Sequence, residues 1–532
     1  MINKALQQSV RGVLTFSARA SVRLPPRPFH YVPCCAQSTR SSASKRYPRF
    51  ALDPQRHGPW VSVDNVFARG PLLDKGQKTA EIVTLTGRIL TIRESSLKLF
   101  FYDIVQNGQV VQVVASRSLF EDKESFTETN RRLRRGDIVS FTGVVGKTKH
   151  GQVSLFPTRE IQVLTPCLHD IPSRSGLKDP EKRFRHRHLD MLVNPEPVRI
   201  LRTRAKIIQY IRRFLEDRGF LEVETPVLSA NAGGANAKPF LTHANALDMD
   251  MQLRIAPELY LKQLVIGGLD RVYEIGKQFR NEGIDADHNP EFTTCEFYQA
   301  YGNLESLMTD TEDMLQGMVS SVLGTTSITC RTGDEVCFER PFMRINVMDH
   351  LERELGIPLD KVLRLPEEVA TENLIAVCRE QRVGLSGPLT IPRVLDKIIS
   401  HYIEPLCVQP TFLYNPPVAL SPLAKSSLDE KGREVAARFE LFVGGKEIVN
   451  AYEELNNPEE QRVRFEQQMR ERQQGDLEAP IPDVAFCEAL EYGLPPTAGW
   501  GMGIDRVVQL LTGSTHIREV LAFPAMRPAP PR

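Results

Sequence analysis

Residues Phe279–Tyr301, "FRNEGIDADHNPEFTTCEFYQAY", have the make-up of a β-hairpin, yet their strands carry charge. Strand residues two apart share a face, so Arg280 and Glu282 point one way together, as do Glu296 and Tyr298. A lone carboxylate in a core costs several kcal/mol and would ordinarily become neutral. Such a hairpin is tolerated where its charged face borders a cavity that takes both a cation and an anion. "GGKEIVNAYEELNN" makes the same demand. Strand parity puts Asn450, Tyr452 and Glu454 on one face and Glu447 on the other, so Glu447 needs a bulge or a separate role. In "RIAPELYLKQL", Glu258 follows a proline at an expected helix start. In "GWGMGIDR", alternating glycines through Gly503 leave one strand face bare, where a flat ligand can lie against backbone, with Arg506 just beyond. Any one of these reads equally well as a salt bridge or a turn. Four in one unit define a site on a sheet.

The rest of the chain surrounds that sheet. At 532 residues it is too long for one simple core. Its net charge of +1 restricts any nucleic-acid contact to a local patch. The nine cysteines show neither a CxxC pair nor metal-ligand spacing, which favours free thiols in a reducing compartment. No apolar run approaches the roughly 18 residues of a membrane span. The first fifty residues hold nine Lys or Arg and no acid, and are rich in Ser. Leu6, Val10, Val13 and Leu14 recur there at helical spacing. This is the profile of a mitochondrial transit peptide over residues 1–45, the alternative being a basic arm that binds nucleic acid. Residues 60–167 hold five short β-rich runs and one polar insert containing "RRLRRGD". They predict a five-stranded barrel of the OB-fold kind, able to stack bases on an aromatic face. Phe101 and Phe156 are the candidate stackers, with Arg93 and Gln112 nearby. A polar, basic linker spans 168–195. Residues 196–530 predict an α+β unit with a mostly antiparallel sheet. It opens on an amphipathic helix with apolar residues at 200, 201, 207, 208, 211, 214 and 215, and residues ~304–410 are mainly helical.

These motifs together resemble the class II aminoacyl-tRNA synthetases. "RGFLEVETPVL", the opening hairpin and "GWGMGIDRVVQLLTG" correspond to motifs 1, 2 and 3. "GGANAKPF", "RIAPELYLKQLVIGGLDRVYEIG" and "KEIVNAYEELNNPEEQ" resemble the lysine subgroup. The likeness covers residues 60–528. It implies an OB-fold anticodon-binding barrel followed by a catalytic domain whose antiparallel sheet is flanked by helices. It also implies ATP-dependent activation of lysine and transfer to tRNA, with ATP as substrate, Mg²⁺ as cofactor and a homodimer formed through motif 1.

The resemblance carries roles over residue by residue. Arg280 would hold the lysine carboxylate and the α-phosphate; Arg280, Glu282 and Arg506 are the catalytic set. Glu282, His288 and Asn289 would contact ATP, with Gly503 and Glu447. Phe292 would stack on adenine, with Arg506 on its other side. Glu447 and Glu454 would be the Mg²⁺ carboxylates. The Gly234 carbonyl and Glu258 would take the α-ammonium. Tyr298 and Glu454 would take the ε-ammonium, with Glu296 and Tyr452 completing the pocket and Asn450 fixing the carboxylate end. Arg93, Phe101 and Gln112 would read the anticodon. An aspartyl or asparaginyl enzyme shares this layout but needs a basic or neutral pocket, against the acids at 258, 296 and 454. "RESSLKLFF" lacks the glycines usual in its hairpin, and "PIPDVAFCEALEYG" lacks the usual acid pair. No lysine-rich helical arm precedes the barrel. With the transit-like segment, this points to a mitochondrial-matrix form with tRNA(Lys) and lysine as partners and no membrane association.

Overall fold

The structure, a computed structural model, describes residues 47–172, 176–231, 233–330, 333–476, 478–479 and 482–528. The transit-like segment 1–45 lies outside the described residues. The chain divides into two compact units at Asp170/Ile171.

The first unit is a closed barrel. A two-residue strand β1 (Trp60–Val61) runs parallel to β2 (Lys78–Ser96). Strands β3 (Leu99–Gln106), β4 (Gln109–Ser116), β5 (Ile138–Lys147) and β6 (Val153–Thr165) complete it. The order β2–β3–β4–β6–β5 closes on itself because β5 also pairs with β2. The five long strands are those the sequence predicts, and β1 is a short addition. Alternation fills the interior: Phe100, Tyr102 and Ile104 on β3 are buried, as are Val111 and Val113 on β4. The polar insert is not only loop. It forms a helix, Phe126–Arg132, that drives Phe126 into the barrel and receives the Tyr102 hydroxyl on Asn130 Oδ1 at 2.7 Å.

The second unit begins with the segment expected as a linker, which supplies two short helices, Pro180–Arg185 and Arg187–Val193. Arg187 is buried and donates to Asp190 at 2.9 Å and to the carbonyls of Glu519 and Leu521 at 2.7 and 3.2 Å. Helix α1 (Glu196–Glu216) follows. Gly219, at φ +77°, then turns the chain into β7 (Leu221–Glu222), since a left-handed residue strains any side chain but glycine least. The remaining frame is α2 (Glu258–Ile266), β8 (Arg271–Phe279), β9 (Glu291–Ala300), α3 (Leu304–Leu323), β10 (Met343–Asn346), β11 (Thr411–Tyr414), β12 (Arg438–Val443), β13 (Lys446–Glu453), α4 (Pro458–Gln473), α5 (Val484–Leu490), β14 (Thr497–Gly503) and α6 (Ile504–Thr512). One eight-stranded sheet runs β10–β11–β12–β13–β14–β9–β8–β7. Only its outermost pairs, β10/β11 and β7/β8, are parallel. Residues 304–410 are mainly helical as expected, but β10 was not anticipated.

The two faces of this sheet have opposite chemistry. Cys295, Phe297, Val449, Ala451, Trp500 and Met502 point into a core shared with Ile207, Ile211 and Phe214 of α1 and Met314 of α3. Each such large apolar side chain contributes about 1.5–3 kcal/mol on burial. Trp500 lies 4.9 Å from the Phe297 ring and donates its indole N–H to Thr311 Oγ1 at 2.9 Å. The alternating residues face the other way, and they are the charged ones.

Candidate active site

The charged face lines a cavity of about 430 Å³. Its floor is β14. Gly501 sits between Glu296 of β9 and Asn450 of β13; Gly499 sits between Tyr298 and Tyr452. A Cβ on Gly499 would meet Glu454 Oε1 at 1.8 Å and Tyr298 Cε1 at 2.7 Å. A Cβ on Gly501 would meet nothing closer than Glu296 Cγ at 3.4 Å. Gly499 therefore makes room for the protein's own acids, while Gly501 leaves a surface open to a ligand. The bulge that Glu447 required is present. Leu441 pairs with Val449 but Phe442 with Glu447, so Ile448 is the extra residue and Glu447 turns to the cavity side.

One end suits a polyanion with a flat ring. Arg280 is half-buried, with its Nε enclosed and unpartnered, and its guanidinium stands 5.1 Å from the Phe292 ring centroid. Burial lowers its pKa, and Glu282, Glu447 and Glu296 oppose that shift. Arg506 donates to the carbonyl oxygen of Glu447 at 2.9 Å and to its carboxylate at 3.1 Å. Glu282 accepts the Lys238 backbone N–H at 3.3 Å, and Gly503 lines the same end. His288 Nδ1 lies 2.9 Å from the Asp285 carboxylate, so its ring is steered by the loop itself. Asn289 shapes the turn by donating to the Glu291 carbonyl at 2.7 Å, and leaves its buried Oδ1 unpartnered.

The other end is acidic. Glu258 opens α2 beneath Gly234, which holds φ +89°. Burial pushes the Glu296 carboxyl up to about 8, with Glu258 adding to the shift. Burial first, and the surrounding acids next, raise Tyr298 and Tyr452 well above the usual phenol range, so both are neutral donors at pH 7. Asn450 is fixed by Arg438, whose Nε donates to its Oδ1 at 2.9 Å.

The pairing of Glu447 with Glu454 as metal ligands is corrected by this geometry. They lie seven positions apart along one strand direction, roughly 20 Å of extended backbone at ~3.3 Å per residue. Glu454 is fully buried at the acidic end, where it ion-pairs with Lys262. The carboxylate that faces Glu447 is Glu440, which is pushed up to about 7 by burial and by Glu447. Glu440 ion-pairs with Arg438 and Glu447 with Arg506 at 3.1 Å, and two neighbouring carboxylates of this kind suit a hard divalent ion. Among the described residues no group of three or more His, Cys, Asp or Glu could hold a metal alone. Mg²⁺ held by one or two carboxylates plus phosphate oxygens fits that arrangement. Glu440, Arg438 and Lys262 are the residues missed from sequence. Arg438 and Glu440 were readable two apart in "ARFELFVGG", on the strand facing Asn450.

On the barrel, Phe101 points away from the core its neighbours Phe100 and Tyr102 fill. Arg93 is its cross-strand partner, with the guanidinium 5.7 Å from the ring. Gln112 is buried and accepts the Ser154 hydroxyl at 3.1 Å. Phe156 is not available for stacking: it is buried under the Lys78 ammonium, 4.8 Å from its ring.

Comparison with known proteins agrees with this architecture. Residues 179–527 match a family described as class II tRNA synthetases (D, K and N), and residues 83–164 match an OB-fold nucleic-acid-binding domain. A protein of Encephalitozoon cuniculi named a probable cytoplasmic lysine–tRNA ligase is 49% identical over 84% of this chain and 88% of its own length. A Bacillus subtilis lysine–tRNA ligase is 42% identical over 84% and 87%. A Schizosaccharomyces pombe mitochondrial lysine–tRNA ligase is 43% identical over 84% of each. With a barrel joined to a glycine-floored sheet whose cavity pairs arginines at one end with acids at the other, the chain belongs to the lysine–tRNA ligase family of class II aminoacyl-tRNA synthetases.

Proposed function

We propose that the chain is a lysine–tRNA ligase of the mitochondrial matrix, which uses ATP and Mg²⁺ and works as a homodimer. The observation that carries the substrate is the acidic end of the cavity. Glu258, Glu296, Tyr298 and Tyr452 converge there, and a neutral or acidic amino acid would leave buried carboxylates unpaired. In the first step a lysine carboxylate oxygen attacks the α-phosphorus of ATP. An O–P bond forms, the bond to the β-phosphate bridge breaks, and pyrophosphate leaves. In the second step a ribose hydroxyl of the tRNA terminal adenosine attacks the lysyl carbonyl and AMP leaves. Arg280 reaches both the lysine carboxylate and the α-phosphate, so it draws the reacting atoms together and offsets charge at the phosphoryl centre. Phe292 and Arg506 sandwich the adenine. Glu447 and Glu440 would hold Mg²⁺, which would supply charge neutralisation on the phosphates.

The substrate assignment is checked by aminoacylation of a total mitochondrial tRNA extract. Lysine is expected to be incorporated into tRNA that reads lysine codons, and charging with aspartate or asparagine instead would overturn it. Phe101→Ala should lower the aminoacylation kcat/KM by about 10–100-fold, the ~1–3 kcal/mol of one stacked base, while lysine-dependent ATP–pyrophosphate exchange stays at wild-type rate. Equal loss in both assays would remove Phe101 from tRNA contact.

The pH profile follows from Glu296. Burial lifts it from the ordinary carboxylate value of 4.5 to about 8, so the empty site holds a proton at pH 7. An incoming ammonium needs the carboxylate, so kcat/KM for lysine should rise as pH increases from 7 to 9. The same raised value stabilises the free protein below the unfolded pKa, and that contribution is lost as pH rises through 8. Glu296→Gln should flatten the kinetic rise; a profile unchanged by the substitution would reassign the group.

The matrix location is supported by the acid-free, basic first fifty residues and by the S. pombe relative named mitochondrial. The other two relatives are named as a cytoplasmic enzyme and as a bacterial ligase without location. A reporter fused to residues 1–50 should enter mitochondria, and a diffuse cytosolic signal would refute the assignment. Dimerisation is supported by the exposed large apolar side chains Leu221 of β7, Leu228 and Leu241.

A further inference from the structure

Behind the acidic end of the cavity lies a side chain that none of the assigned roles uses. Lys262, one turn beyond Glu258 on α2, is fully enclosed. Its ammonium lies 2.6 Å from Glu258 Oε1 and ion-pairs with Glu454 Oε2. It stands 5.7 Å from the ring centroids of both Tyr452 and Phe486. An (i, i+4) Glu–Lys pair is ordinarily a weak, solvated helix contact. Here the pair is dry, and a second carboxylate, Glu454, joins it from the end of β13.

We propose that Lys262 is a positioning residue for amino-acid selection: it bridges Glu258 and Glu454 in a carboxylate–ammonium–carboxylate row, leaving one oxygen of each for the substrate's two ammonium groups. The geometry fits this division. Lys262 donates to Oε1 of Glu258 and ion-pairs with Oε2 of Glu454; neither Glu454 oxygen has a hydrogen-bond partner, and it is Oε1 that lies against the bare backbone of Gly499, which lines the cavity. The two acids come from α2 and from the end of β13, and without a bridge their like charges would push them apart or force one to take a proton. Electrostatics agree. Burial alone would lower the Lys262 pKa, but Glu258 and Glu454 more than reverse this. Burial raises Glu454 well above the usual carboxylate range, and Lys262 is the main group opposing that shift. Glu296, Tyr298 and Tyr452 complete the polar surroundings of the row, and each adds to or feels the same negative field. Lys262 thus keeps two buried acids aimed at the pocket and opposes the upward shift of the Glu454 carboxyl.

This inference rests on the lysine reading of the cavity, and its test separates the two. Wild-type protein that fails to exchange with lysine refutes the substrate reading. Given exchange, Lys262→Met should raise the lysine KM by at least about tenfold, with ATP KM within about threefold of wild type. It should also move the rising limb of lysine kcat/KM to higher pH by about one unit, because the unbridged acids hold their proton more tightly. Lys262→Arg keeps the charge and should keep the wild-type pH profile, whatever its KM; it also decides the matter if Lys262→Met does not fold. A uniform loss of activity in Lys262→Met with an unmoved pH profile, or a profile shifted by Lys262→Arg as by loss of charge, would overturn the proposal.

Discussion

Arg280→Ala is expected to lower kcat for lysine-dependent ATP–pyrophosphate exchange by about 10³-fold, near 4 kcal/mol of transition-state stabilisation. The reason is placement. Arg280 leaves the end of β8, is held by its backbone N–H on the Pro290 carbonyl at 2.9 Å, and has a buried Nε with nothing to bond in the free protein. An unpaired buried guanidinium N–H is retained at a cost, and an arriving carboxylate and phosphate remove that cost. Arg280→Lys should recover little, because one ammonium cannot reach two anionic groups as a planar fork does. Steady-state exchange across lysine and ATP concentrations checks this. A change confined to KM, with kcat intact, would make Arg280 a binding residue only.

The second large effect is expected at Gly499. Alanine there would drive its Cβ into Glu454 Oε1 and the Tyr298 ring, at 1.8 and 2.7 Å. Neither neighbour can yield, since both are enclosed and Glu454 is tied to Lys262. Displacing the pair should cut lysine kcat/KM by about 10²-fold or more, matching the ~2–5 kcal/mol for disturbing a buried charge pair. Stability should fall by about 1–3 kcal/mol, as for an overpacked core. ATP affinity should stay near wild type, because the arginine end is untouched. Gly501→Ala is the control: its nearest atom is 3.4 Å away, so the fold should accept it while the ligand surface is obstructed. Calorimetric binding of lysine and ATP to both variants separates the outcomes. Equal losses of lysine and ATP affinity in Gly499→Ala would mean general damage.

Much of this site was legible before any coordinates because charge on a strand face is a local signal. Parity alone put Glu296 with Tyr298 on one strand face and Asn450 with Tyr452 on another, and the wrong parity of Glu447 called for a bulge or a separate role, of which Ile448 supplies the bulge. The glycines of β14 were legible for the same reason. What parity cannot give is which strands become neighbours. The resemblance matched Glu447 with Glu454, and parity could not show that Glu440, seven residues away on the other side, comes to lie on the adjacent strand. Lys262 was hidden differently: "ELYLKQL" reads as a helix with a solvated Glu–Lys pair, and only the tertiary fold closes water out. Strand β10, four residues long with two exposed, is too short and too polar for periodicity to reveal. Phe156 shows the reverse error, an aromatic in a binding fold that turned out to be core.

The proposed function is that one cavity takes ATP at its arginine end and a dicationic amino acid at its acidic end. Its most direct test is ATP–pyrophosphate exchange by the purified protein with lysine, aspartate and asparagine supplied separately. Lysine alone should support exchange, with aspartate and asparagine at background. Exchange with aspartate or asparagine and none with lysine would contradict this reading, because no cationic side chain would then enter the end where Glu258, Glu296 and Glu454 gather.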